Sequence, residues 1–335
     1  MTFTDFKGLV VREEEDDVTF ELENVTLDNL DSGDIIIKVA YSSINYKDML
    51  AVQPNGGIVR NYPMIPGIDL SGVVVSSENP DFEEGQKVIA TSYDIGASHT
   101  GGFAEYARIN SEWAVPLPDG LSLKDAMKFG TAGFTAALSL DALEKNGMQP
   151  INNPRILVTG STGGVGSIAV QMLSQTGYGD IKGLIRKDYQ EDVAKELGAT
   201  TTIDADDLGE KKTLGSRQFD FVLDTVGGEV TSTVLPLVEE FGSVSVCGNA
   251  GGAKLETTVL PFILRGINLL GINSVTTPMD YRIEIWNKIA SIWNVADDIH
   301  YDTVTLDNLT DTFTALKEGK HLGRTIVEID KNLDK

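Results

Sequence analysis

Between Arg155 and Gly166 the chain reads Arg-Ile-Leu-Val-Thr-Gly-Ser-Thr-Gly-Gly-Val-Gly, an apolar run of strand character followed at once by a glycine-rich turn. Where a strand must bend sharply into a helix, glycine lets backbone amides close on a pyrophosphate, and the helix N-terminus adds partial positive charge. Taken alone, such a pattern is equally a tight turn. Its setting, directly after Ile156-Leu157-Val158 and before a helix-like stretch with Ile168, Ala169, Val170, Met172 and Leu173, favours a dinucleotide site on Gly160, Gly163, Gly164 and Gly166.

The tip of the next strand selects the dinucleotide. A carboxylate there holds the ribose hydroxyls of NAD, whereas basic groups hold the 2′-phosphate of NADP. Here Gly183-Leu184-Ile185-Arg186-Lys187 carries no carboxylate; Arg186 can fork onto a phosphate and Lys187 adds a point charge. NADPH is the expected cofactor. The competing reading, in which Arg186 and Lys187 only open a solvated helix, is kept alive by Asp188.

Composition narrows the remaining chemistry. A chain of 335 residues with 41% hydrophobic content is long enough for two domains. Its 27 basic and 50 acidic residues leave a formal charge of -23, which repels phosphodiester backbones and anionic lipid, so neither a nucleic acid nor a membrane is expected as partner. The single Cys247 excludes an internal disulfide, and with only His99, His300 and His321 it cannot build a Cys/His zinc cage, so no metal is expected. The acidic run Glu13-Glu14-Glu15-Asp16-Asp17 lacks the spaced ligands of a calcium loop and reads as a solvated turn. Met1-Thr2-Phe3-Thr4-Asp5-Phe6-Lys7 has no basic region before an apolar run, and no apolar segment reaches membrane length; a cytoplasmic protein is expected.

These residues need elements to position them. Up to about residue 120 the chain consists of short β-like runs, Ile35 to Val39, Gly72 to Val75 and Lys87 to Ala90, with almost no helix signal. Ser122 is a helix cap, and Leu123 to Leu143 spaces apolar residues at helical intervals, which puts a domain boundary there. Strand-like and helix-like segments then alternate: strands at Arg155 to Thr159, Lys182 to Arg186, Thr201 to Asp204, Phe219 to Thr225 and Ser243 to Cys247, with helices that include Val193 to Leu197 and Val230 to Val238. Alternation with near-continuously apolar strands implies an α/β fold, a doubly wound parallel sheet covered on both faces. Leu269 to Val275 adds a strand at the end of that sheet, and Gly323 to Ile329 a final strand that returns to the first domain. The expected division is 1–123 with 276–335 for the β-rich domain and 124–275 for the cofactor domain.

With these segments placed, the chain resembles the zinc-independent medium-chain dehydrogenases/reductases, in the branch of acryloyl-CoA reductases and quinone oxidoreductases. The resemblance runs through Ser42-Ser43-Ile44-Asn45-Tyr46-Lys47-Asp48, Pro63-Met64-Ile65-Pro66-Gly67-Ile68-Asp69, Gly130-Thr131-Ala132-Gly133-Phe134-Thr135-Ala136, the glycine loop, Pro261-Phe262-Ile263-Leu264-Arg265, Gly271-Ile272-Asn273-Ser274-Val275 and Gly323-Arg324-Thr325. It implies a Rossmann cofactor domain inserted in a GroES-like catalytic domain, and a homodimer joined edge to edge through the strand near Leu269 to Ser274. Zinc-dependent relatives use a Cys and a Gly-His-Glu segment; here Asn45 stands in the Cys position and Gly67-Ile68-Asp69 replaces Gly-His-Glu. The family's NADP contacts carry over to Tyr46, Thr131, Gly160, Thr162, Gly163, Gly164, Val165, Asn249, Ile263, Ser274 and Arg324. Close relatives have Ser-Gly-Arg at the strand tip, so here the phosphate contact falls on either Arg186 or Lys187.

The activity implied by the resemblance is hydride transfer to an activated C=C conjugated to a carbonyl. Charge then builds on the carbonyl oxygen, which without a Lewis-acid metal needs preorganised hydrogen-bond donors. Asn45 and Tyr46 are the candidate catalytic donors; alternatively the tyrosine only positions the nicotinamide and Asn45 only satisfies a buried backbone group. The small-molecule substrate is an acyl-CoA, a quinone or an enone, with acryloyl-CoA leading and Lys47, Arg60, Arg265 and Arg282 available for an anionic thioester. Lys47 and Asp48 are a candidate ion pair, and Asp69 a support for its loop. Trp113, Trp286 and Trp293 read as core and Cys247 as an inert buried thiol. A non-catalytic NADPH sensor is the rival from another class, and donors at Asn45 and Tyr46 argue against it.

Overall fold

The computed structural model describes residues 5–15, 17–209 and 212–335; Asp16 of the acidic run and the first four residues of the N-terminal segment lie outside them. Two units emerge, one formed by Met1–Thr131, Val275–Ala290 and His300–Lys335, the other by Ala132–Ser274 and Ser291–Ile299.

The first unit begins with an antiparallel hairpin, β1 (Phe6–Glu14) and β2 (Asp17–Val25), with Glu14 opposite Asp17 and Glu13, Glu14 and Glu15 exposed at its end. The isoleucine run opens β3 (Ile35–Ile44), which buries every residue from Val39 onward. Helix α1 (Tyr46–Ala51) follows, then β4 (Asp69–Ser77), β5 (Lys87–Thr91), β6 (Tyr106–Ile109) and β7 (Ala114–Pro116). Ile35, Ile37, Val39, Leu70, Val74 and Val88 pack into one core of this unit. Helix α2 (Leu123–Lys145) opens on a reciprocal cap: Ser122 Oγ donates to Asp125 Oδ2 at 2.6 Å and accepts from the Asp125 amide at 3.0 Å. It breaks at Gly130, whose φ of 50° and ψ of -154° are not helical.

The second unit is built from β8 (Arg155–Val158), α3 (Gly164–Gln175), β9 (Asp180–Ile185), α4 (Tyr189–Glu196), β10 (Thr201–Asp204), β11 (Phe219–Asp224), α5 (Gly228–Val234), β12 (Val238–Val246), α6 (Leu260–Arg265) and β13 (Asn268–Gly271). Its strands form one parallel sheet in the order β10-β9-β8-β11-β12-β13, the doubly wound dinucleotide-binding order. Leu157, Leu184, Phe219, Val222, Val234 and Val244 fill the core between sheet and helices. The chain then returns to the first unit through α7 (Met279–Ile289), β14 (Tyr301–Val304), α8 (Thr310–Lys317) and β15 (Arg324–Glu328). There the sheet order is β14-β15-β3-β4-β5-β7, with β6 also on β3 and β15 antiparallel to β3 so that Thr325 faces Ile44. Among the described residues no helix is long and apolar enough to cross a membrane.

Several boundaries differ from the sequence expectation. The helix expected over Val230 to Val238 stops at Val234 and passes into a tight turn at Leu235–Leu237, because Pro236 has no amide to continue the helical ladder; β12 therefore starts at Val238 rather than Ser243. The strand expected to reach Val275 ends at Gly271.

Arg265 at the end of α6 is buried and acts as a clamp. Its guanidinium donates to the carbonyls of Pro236 at 2.7 Å, Val238 at 2.9 Å and Gly215 at 2.5 Å, tying the segment before β11 to the start of β12. It is thus committed inside the unit and does not serve an anionic thioester. Arg265→Ala leaves three carbonyls short of a donor; at about 1 kcal/mol or more per orphaned group, denaturant titration is expected to show a loss of at least about 3 kcal/mol.

Candidate active site

In the first unit the chain puts a cation and two carboxylates where water does not reach. Asp48 and Asp69 are fully buried and Arg324 is 2% exposed. Arg324, at the start of β15, lies beside the end of β3 by the antiparallel register. Its guanidinium donates to the Lys128 carbonyl at 3.1 Å, the Ile44 carbonyl at 3.3 Å, Asn45 Oδ1 at 3.3 Å and Ser43 Oγ at 2.9 Å, and lies 4.0 Å from Asp69 Oδ2. Asp69 Oδ2 accepts from Ser43 Oγ at 2.7 Å, Asn45 Nδ2 at 2.7 Å and the Thr131 amide at 2.9 Å, while Oδ1 accepts the Thr131 hydroxyl at 2.5 Å. These groups converge because residue 130 is glycine. A Cβ there would sit 2.5 Å from Asp69 Oδ2, 2.6 Å from Ser43 Oγ and 2.9 Å from Arg324 Nη2, in a positive-φ conformation that side chains disfavour.

The network fixes the turn from β3 into α1. Both ends of the Asn45 carboxamide are engaged, the amine on Asp69 and the oxygen on Arg324. Asp48 accepts from the Asn45 amide at 2.7 Å and the Ile68 amide at 3.0 Å, so it turns inward instead of pairing with Lys47. Burial, and then the neighbouring Asp69 carboxylate, push Asp48 up to about 7. Tyr46, between them, is 46% exposed, and among the described residues its hydroxyl has no hydrogen-bond partner.

In the second unit the glycine loop joins β8 to α3. Gly160 has a φ of 59°, and a Cβ there would lie 2.5 Å from Thr225 Oγ1. Gly163 caps α3, its amide donating to the Gly160 carbonyl at 3.0 Å. The buried Asp224, at the end of β11, holds the loop entry: it accepts the Thr159 hydroxyl at 2.6 Å, the amides of Val226 and Gly227 at 2.9 and 3.1 Å, and the Thr231 hydroxyl. Arg186 and Lys187 are exposed at the tip of β9, Asn249 is exposed just past β12, Ile263 is exposed on α6 and Ser274 is half-buried beyond β13. The glycine loop, the β9 tip and Asn249 therefore share the carboxyl ends of the parallel strands, where such sheets bind nucleotides.

Residues 31–119 match the alcohol dehydrogenase GroES-like domain and residues 164–291 the zinc-binding dehydrogenase domain. Acrylyl-CoA reductase AcuI of Ruegeria pomeroyi is 38% identical over 336 residues, spanning 97% of this chain and 99% of its own. The protein named Putative quinone oxidoreductase YhfP of Bacillus subtilis is 48% identical over 288 residues, 85% of this chain and 87% of its own. The chain belongs to the medium-chain dehydrogenase/reductase family. Family members of solved structure superpose closely. The yhdH oxidoreductase of Salmonella enterica in complex with NADP gives a TM-score of 0.93 at 38% identity, covering 96% of this chain and 99% of that one. The YhfP structure, with NAD bound, gives 0.94 at 44% identity, covering 97% and 100%.

In this member of the family, Asn45 and Asp69 are hydrogen-bonded to each other beside Arg324. Among the described residues no group of three or more His, Cys, Asp or Glu is arranged to hold a metal ion. The Thr131 hydroxyl and the Arg324 guanidinium, both candidate cofactor contacts, point into the buried network. Arg282 is buried too, donating to Thr91 and the Val275 carbonyl under the Tyr93 ring, so it joins Arg265 as a structural cation. Cys247 donates to the Asp224 carbonyl, and burial pushes its thiol up to about 12. Asp224 went unassigned in the sequence, and Asp48, Asp69 and Arg324, read there as an ion-pair partner, a loop support and a cofactor contact, are instead joined in one buried assembly.

The raised Asp48 makes stability depend on pH in a defined direction. In the unfolded chain its carboxyl titrates at about 3.9. From about pH 4 to about 7 the unfolded chain has released this proton and the native one has kept it, so native stability falls as pH rises through that window and levels off above it. Denaturant titrations of wild type against Asp48→Asn are expected to show the wild type losing several kcal/mol relative to the variant between about pH 4 and 7, with a constant difference above about pH 8.

Proposed function

We propose that the chain is a cytoplasmic NADPH-dependent reductase of an activated C=C, with a short 2-enoyl-CoA such as acryloyl-CoA as substrate. The observation that carries this reading is Tyr46: an exposed hydroxyl, without a partner among the described residues, on a turn held by buried charges. NADPH, when bound, supplies the hydride. The positive-φ Gly160, the closely approaching loop and the exposed Arg186 and Lys187 fit that cofactor. Gly160, Thr162, Gly163, Gly164 and Val165 would hold its pyrophosphate, Arg186 and Lys187 its 2′-phosphate, and Asn249, Ile263 and Ser274 the remaining contacts of this unit.

Tyr46 donates its hydroxyl hydrogen to the substrate carbonyl oxygen as negative charge gathers there, a contribution of about 3 kcal/mol for one preorganised donor. Asn45 positions Tyr46 rather than donating, since both ends of its amide are already used. Exposed Arg60 and half-buried Lys47 are the cations left for an anionic thioester. A quinone or enone is the second substrate reading, favoured by the name of YhfP.

Absorbance-monitored NADPH oxidation with acryloyl-CoA, crotonyl-CoA, a benzoquinone and an alkenal separates these readings. Fastest turnover of the thioesters is expected; quinone turnover alone sinks the thioester assignment, and no turnover sinks the enzyme. Tyr46→Phe is expected to lower kcat about 100-fold with NADPH affinity unchanged. Arg186→Ala is expected to weaken NADPH about tenfold and leave NADH alone.

We also propose a homodimer formed through β13. This strand is the last in its sheet, and Leu269 on it is exposed. Leu269→Asp is expected to convert the dimer to monomer in analytical ultracentrifugation; a monomeric wild type overturns the proposal.

A further inference from the structure

The tip of β9 and the glycine loop are joined by one side chain that neither the motif nor the comparisons single out. Gln190, in the first turn of α4, accepts at Oε1 from the Arg186 amide at 2.9 Å and the Lys187 amide at 3.2 Å, and donates from Nε2 to Thr162 Oγ1 at 2.9 Å. Resting on the NADPH reading above, we propose that Gln190 is a specificity-determining residue that shapes the 2′-phosphate seat by fastening the β9 tip to the glycine loop.

Three properties of the carboxamide support this assignment. First, it immobilises the backbone that carries Arg186 and Lys187 while leaving both side chains exposed; among the described residues neither forms an ion pair, and the Lys187 ammonium rests 5.8 Å from the centre of the Tyr189 ring. The segment is therefore ordered before a ligand arrives, which lowers the entropy cost of engaging a phosphate. Second, Thr162 Oγ1 accepts from Gln190, so its own hydrogen is free to point at an anion. Third, the group is neutral. A glutamate would accept the same two amide bonds but add negative charge beside a dianionic phosphate, in a turn that already contains Asp188 and Asp192, with Glu191 turned to Lys195 at 2.6 Å. Specificity here includes the absence of a repelling charge as well as the presence of attracting ones.

Calorimetric titration of wild type, Gln190→Ala and Gln190→Glu with NADPH and with NADH tests the assignment without relying on turnover, with circular dichroism to verify folding. Gln190→Ala is expected to lower the NADPH-to-NADH affinity ratio about fivefold and Gln190→Glu at least about tenfold, mostly through weaker NADPH binding. If wild type prefers NADPH and Arg186→Ala lowers the ratio while both Gln190 variants keep it, the inference is overturned and the cofactor reading stands. If wild type itself shows no preference for NADPH, the cofactor reading fails and the inference with it.

Discussion

Arg324 carries a permanent charge almost out of reach of water, and much of the first unit is arranged to neutralise it. One guanidinium faces two buried carboxylates. The nearer, Asp69, is supplied with donors on both oxygens, so its charge is spread over Ser43, Asn45 and Thr131. The farther, Asp48, accepts from the Asn45 and Ile68 amides, and burial beside the Asp69 carboxylate holds its proton into the neutral range. Removing any member would strand another in a low-dielectric interior, where an unpaired charge costs several kcal/mol. That mutual dependence explains why the helix after Ser122 breaks: only a residue without a side chain can pass between Asp69, Ser43 and Arg324.

The second unit solves a different problem, an anion site inside a chain of net charge -23. The background field opposes a phosphate, so local devices must outweigh it. Strand order brings the glycine loop and the β9 tip to one end of the sheet, and Asp224 holds the loop entry through backbone amides and hydroxyls rather than by ion pairing.

How far the sequence revealed this arrangement follows from the range of each signal. The parallel sheet was legible because Ile156-Leu157-Val158 and Phe221-Val222-Leu223 are apolar on both faces, a property of single segments. The last strand was recoverable from β-branched residues at Thr325, Ile326 and Val327. Helix α1, of six residues, is too short to display a period, and the β1–β2 hairpin was obscured by its acidic end. The cations misled most. Arg265 and Arg282 read as charge available to an anionic thioester and Arg324 as a cofactor contact, whereas burial of an arginine depends on carbonyls and carboxylates tens to hundreds of residues away, which no local pattern encodes. Gln190 is hidden for the same reason, its partner Thr162 lying 28 positions upstream.

The pairing of β15 with β3 has a consequence for how the chain is made. Ser43 and Arg324 are 281 positions apart, yet they share one buried cluster. During synthesis the sheet of the second unit can assemble as soon as β13 has left the ribosome, because all its strands are contiguous in sequence. The first unit must wait. Until the final strand emerges, Asp48 and Asp69 have no guanidinium to face, and β3 presents an open edge along Tyr41 to Ile44. Long-range closure of this kind slows folding and prolongs exposure of unpaired strand. The nascent protein is thus a completed parallel sheet tethered to an unfinished first unit, and the wait for the final strand is the interval in which its unpaired edge is most open to aggregation.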